Sequence, residues 1–224
     1  MPAEFNNASS TNGNASSYTF GHDATGSDIL LVQVSSKTST YPLVSSVTFN
    51  GAGNPLVQCT GALFGSVMVG ELWCLENPPS ASGNVVVTLV SSTKAVCGAV
   101  SYNNVSGLNF DTLSVTTGQN SGGSGNIATA VNDSVVFLGW SSRDGRTAVT
   151  IDPDLTERYD DRVTGNPAGN QAIGKGLDEG SGVGLSAGTY AYGFTQDAVE
   201  AWVVICAELV PLVASDESNF GFIL

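Results

Sequence analysis

The chain has 224 residues, a length that can bury a sizeable core in one large β domain or in two small ones. Hydrophobic residues make up 42% of it, which excludes global disorder, while charged residues make up only 12%, about half of the ~25% usual in soluble domains. The net charge of −13, from 20 acidic and 7 basic residues, argues against nucleic acid and anionic membrane as partners, because both need clustered Lys and Arg.

Residues 1–17 are an Asn/Ser-rich polar segment with little to build a core from. They are expected to be an N-terminal arm that orders only on assembly with a partner. From there the chain alternates short Val/Ser/Thr-rich runs with Gly/Asn/Pro turns, the pattern of an antiparallel all-β sandwich. Strands are predicted at 17–20, 28–35, 43–49, 55–60, 67–75, 84–90 and 95–102. The turn Asn50-Gly51 and the break Asn77-Pro78-Pro79-Ser80 punctuate them, since Asn and Gly tolerate positive φ and Pro lacks a ladder amide. A strand at 113–117 follows, and then the Gly/Ser-rich stretch 118–125, read as a flexible loop. Further strands are predicted at 134–140, 147–151, 189–194 and 200–209. Their sandwich character predicts a single domain, 18–212, whose strands interleave across that loop. Within it, 153–188 reads as a long acidic and Gly-rich insertion. Residues 213–224 form a C-terminal tail, acidic and then apolar. The best helical window, 154–162, is too short to stand alone.

Signals for chemistry are sparse. Gly184-Leu185-Ser186-Ala187-Gly188 matches the nucleophile-elbow spacing, but a predicted strand follows it and no histidine does, so Ser186 reads as a turn residue. His22, the sole histidine, reads as a turn or surface residue. The carboxylates Asp152, Asp154, Glu157 and Asp160 are weak candidates for a Ca²⁺ site, which wants about six to eight oxygens. They lack EF-hand grammar, and Arg158 and Arg162 lie among them. No metal, cofactor or catalytic residue is therefore expected. Cys59, Cys74, Cys97 and Cys206 have no metal-like spacing and read as buried thiols, with a Cys59–Cys74 bridge as the minor alternative. Trp73, Trp140 and Trp202 read as core. Tyr41 and Tyr159 are the loop aromatics a sugar would stack on. Met1-Pro2-Ala3-Glu4 does not start a secretion signal, and no apolar run approaches the ~20 residues of a membrane span. Folding in a reducing cytosol is expected.

The runs 28–36, 46–51, 71–88, 95–102 and 188–194 together resemble the jelly-roll-like β-sandwich modules of tailed-phage virion proteins and of some bacterial surface proteins, over roughly residues 18–209. The resemblance is one of strands and turns and carries no catalytic residue. It implies a non-enzymatic capsid decoration (cement) protein, a homotrimer assembled in the host cytoplasm onto the virion, with the major capsid protein or other virion subunits as partners. The alternative it leaves is a carbohydrate-binding sandwich for host attachment, with a surface glycan as ligand.

Overall fold

A computed structural model describes residues 1–143, 149–163 and 171–213. All its named elements are strands: β1 (Glu4–Asp23), β2 (Ile29–Ser36), β3 (Val44–Phe49), β4 (Val57–Phe64), β5 (Met68–Glu76), β6 (Ser82–Asn103), β7 (Val105–Thr129), β8 (Val135–Ser142), β9 (Val149–Ile151), β10 (Thr156–Arg162), β11 (Ile173–Glu179) and β12 (Gly188–Pro211). They form two antiparallel six-stranded sheets packed face to face, as expected of a β-sandwich.

The two sheets repeat one topology. The first runs β1-β6-β2-β5-β4, with β3 on β6; the second, read from its other end, runs β7-β12-β8-β11-β10, with β9 on β12. Each strand of the first sheet has a counterpart six places later in chain order. No strand of residues 4–103 pairs with a strand of 105–211 among the described residues. The chain is therefore a tandem of two six-stranded units, not one set of strands interleaved across 118–125.

Each unit folds its own sheet over. β1 runs antiparallel to β6 along its whole length, with register shifts between Ala15 and Ser17. Ser9 and His22, thirteen residues apart on β1, are nevertheless hydrogen-bonded at 2.8 Å. An extended strand would separate them by roughly 40 Å, so the β1–β6 ribbon doubles back at the shift. β7 and β12 have a matching irregularity between Thr195 and Glu200. Backbone groups freed at such corners need partners. At the first corner the Tyr18 hydroxyl donates to Thr93 O at 2.6 Å and accepts from Ala15 N. At the second, Gln196 Nε2 donates to Asn120 O at 2.8 Å.

Three apolar layers result. Leu30, Val32 and Val34 of β2 face Val85, Val87 and Leu89 inside the first unit. Val136, Leu138 and Trp140 of β8 face Ile127, Tyr192 and Phe194 inside the second. The alternate residues, Ile29 and Leu31 on β2 and Val135 and Phe137 on β8, meet between the units with Leu72, Val203 and Ile205. This is why β2 and β8 are buried at every position: each lies between two cores.

Three expectations are corrected. The segment 1–17 is not a free arm, because residues from Glu4 onward form the first part of β1 and pair with β6 of the same chain. The ladder supplies the strand character that the side chains lack. The Gly/Ser stretch 118–125 is not a loop but part of β7, and its glycines make room for an indole. A Cβ at Gly118 or Gly123 would lie 2.5 or 2.4 Å from the Trp202 ring. The 153–188 insertion contains the paired strands β10 and β11, which close the second sheet. Of the tail 213–224, all but Val213 lies outside the described residues.

Candidate functional site

The four carboxylates proposed for Ca²⁺ are drawn to two different places. Asp152 closes the turn after β9: its Oδ1 accepts from Asp154 N at 3.1 Å and its Oδ2 from Gly193 N at 3.3 Å. Glu157 and Asp160 lie on β10 and both bind the Lys175 ammonium, each at 2.7 Å. A side-chain cation thus stands where the pair would have held a metal. Among the described residues no group of three or more His, Cys, Asp or Glu converges as a metal site.

The other sequence candidates also find places. Ser186 lies exposed in the turn before β12, and its carbonyl accepts from Thr129 Oγ1 and Tyr190 OH. The four cysteines are free, and three are fully buried. Burial pushes the Cys206 thiol up to about 12, so it stays protonated. Trp73, Trp140 and Trp202 are core residues, as expected. Tyr41 is half-exposed and donates to Gly61 O. Tyr159 is not a loop aromatic: it lies on β10, buried between the units, and its hydroxyl donates to Gln33 Oε1.

His22 departs furthest from expectation. It is a buried strand residue, not a turn or surface one, and it ties the two halves of the folded ribbon together. Its Nδ1 is hydrogen-bonded to Ser9 Oγ at 2.8 Å and its Nε2 to Ser101 Oγ at 3.1 Å. The ring meets Phe49 edge-on. Burial lowers its pKa to about 4, with Asp23 opposing weakly, so the imidazole is neutral at pH 7. A neutral ring offers one donor and one acceptor, and the two serines take both.

A groove of about 520 Å³ opens beside it, lined by Asn7, Ser9, Asp23, Ser82 and Asn84 with Gly21 and Gly83. Its lining comes from both parts of β1 and from Ser82–Asn84 of β6, which pair with Gly21–Asp23. Asp23 accepts from Thr25 Oγ1 at 2.7 Å and from Thr25 N, contacts that lower its pKa and keep it ionised. The Ser9–His22 pair has the spacing of a nucleophile and base, but an imidazole this weakly basic gains little from taking the serine proton.

No family model matches the chain, and no curated protein or solved structure is significantly similar to it. The groove therefore stands on its own geometry. Sequence reasoning missed it because Ser9, His22, Asn84 and Ser101 come together only through the doubling-back of β1 and β6. Nothing in their spacing signals it.

Proposed function

We propose that the chain is a non-enzymatic structural subunit of a virion, a decoration protein that seats on a capsid as a homotrimer and stabilises it by burying surface. The observation that carries this reading is a fused double body poor in charged residues, with a cluster of exposed apolar side chains where its first and last described residues meet. There Gly182 N donates to Ala3 O at 2.9 Å and Met1 N to Leu212 O at 3.3 Å. The exposed apolar side chains Met1, Val183, Leu212 and Val213 are thereby gathered together. Exposed apolar clusters on an otherwise polar body mark contact surfaces. Ser, Thr and Asn elsewhere lose little side-chain entropy when packed against a neighbour.

The test is co-sedimentation with virus particles from a lysate of the source culture, followed with an antibody to the purified chain, together with light scattering of the pure protein. The expected result is a trimer that travels with particles, and a Val183→Asp variant that folds but is recovered with particles at least tenfold less. A chain that stays monomeric and never leaves the soluble fractions overturns the reading.

A further inference from the structure

The duplicated unit provides an internal comparison at the His22 groove. In the register of β2 with β6, Ser101 stands opposite Leu30; in that of β8 with β12, Glu208 stands opposite Val136. His22 pairs with Gly83 on β6, and Thr129 pairs with Gly188 on β12. The same place in the two units is thus built differently.

In the second unit a carboxylate occupies it. Glu208 is fully buried. Its Oε1 accepts from Ala130 N, Val131 N and Ser134 Oγ at 2.8–3.0 Å. Its Oε2 accepts from Asn109 Nδ2 and Thr112 Oγ1. In the first unit a serine replaces that carboxylate, a neutral imidazole fills the space behind it, and the groove remains open in front.

We infer that the open groove of the first unit is a binding site for a neutral polyhydroxyl ligand, a saccharide, held by Asn7, Ser9, Asp23 and Asn84. Its volume falls within the ~300–1,000 Å³ of ordinary ligand sites. Its lining has no Lys or Arg, and the protein carries −13, so phosphate and carboxylate ligands are repelled. What remains is the complement of hydroxyls: an ionised carboxylate whose Oδ1 is taken by Thr25 and which keeps acceptor capacity besides, and amides that donate and accept. His22 holds the Ser9 hydroxyl in one orientation and so preorganises it. No Trp, Tyr or Phe lines the groove, so affinity rests mainly on hydrogen bonds, with a dissociation constant on the order of 1 mM. The site is independent of the structural role proposed above, and either can fail without the other.

The single histidine makes the experiment clean, because its ring protons are the only imidazole signals in a spectrum of the intact chain. Galactose, glucose, mannose, N-acetylglucosamine and oligosaccharides of each are titrated to tens of millimolar while the His22 resonances are followed. At least one sugar is expected to shift them saturably. Asp23→Asn weakens that binding about tenfold, and Asn84→Ala, an exposed position, weakens it with the fold intact. The inference is overturned if no sugar shifts the His22 signals, if the shifts persist unchanged in both variants, or if CaCl₂ alone shifts them and sugars do not.

Discussion

At the scale of single residues, Tyr159 shows how the two units are locked together. Its ring lies between Gly98 of the first unit and Gly176 of the second, where an added Cβ would stand 2.0 and 2.2 Å from ring carbons. Its hydroxyl meets Gln33, which donates in turn to Trp140 O and Ser141 Oγ at 3.1 Å. Gly98→Ala has nowhere to push the ring, so it should cost at least the roughly 1–3 kcal/mol of core overpacking. In a Tyr159→Ala background the same change should cost far less, a coupling that urea titration of the four proteins measures. Simple additivity would mean that the ring is not wedged. His22 makes a second prediction, in pH. Its folded pKa of about 4 lies below the ordinary value of 6.5, so the unfolded chain binds the proton first. The stability it confers is complete above pH 6.5 and drains away as pH falls towards 4, by up to about 3 kcal/mol. Burial raises the pKa of Glu71, which works the other way as the acid form is relieved. Glu208 works with His22: burial raises its pKa, but the bonds it accepts more than offset this, and its stabilisation fades below the carboxylate range. Urea midpoints measured from pH 7 to 4 should therefore fall, and His22→Gln should flatten the slope while lowering stability at pH 7. A variant with the unaltered slope would assign the acid sensitivity elsewhere.

At the scale of elements, legibility in the sequence followed the number of buried faces. β2, β5 and β8 are buried on both faces, and their near-continuous apolar runs were readable within a residue or two. β1 was not, because its first part is an edge whose Asn, Ser and Thr side chains are half-exposed on both faces. Only the ladder to β6 makes it a strand, an instance of pairing overriding propensity. The glycines of β7 misled for the opposite reason: they mark the close approach of Trp202, not chain freedom. The pairing of β1 carries a prediction. Removing residues 1–17 would uncover the β6 edge over Thr93–Asn103 and strip Phe5 from Tyr102 and from the Arg158 guanidinium stacked 4.0 Å above it. An exposed edge recruits other chains. The truncated protein should self-associate and lose its cooperative urea transition; a soluble truncation with the full-length midpoint would return residues 1–17 to the status of an arm.

At the scale of the molecule, the question is whether two units of one topology behave as one body. Their hydrogen-bonded sheets are separate, which favours independent unfolding, but their middle layers share a single core. That duplication was hidden in the sequence, since β2 and β8 align in apolar character and in their closing Ser-Ser pairs yet share little else. The shared layer joins Ile29, Leu31, Leu72 and Tyr102 to Phe137, Val203, Ile205 and Leu209, all nearly or fully excluded from water. Burying side chains of this size is worth about 1.5–3 kcal/mol each, a large fraction of the 5–15 kcal/mol stability of an ordinary domain. Neither unit can keep its middle sheet dry without the other. Calorimetry of the intact chain should therefore show one transition with equal calorimetric and van't Hoff enthalpies. Val203→Asp places an unpaired charge in that layer, against Gly70 of the facing sheet. It should split the transition or leave a first unit that still shows the His22 resonances of its folded groove. Two transitions in the unmodified chain would mean that each folded-over sheet is sufficient by itself, and that the layer between them is an interface rather than a core.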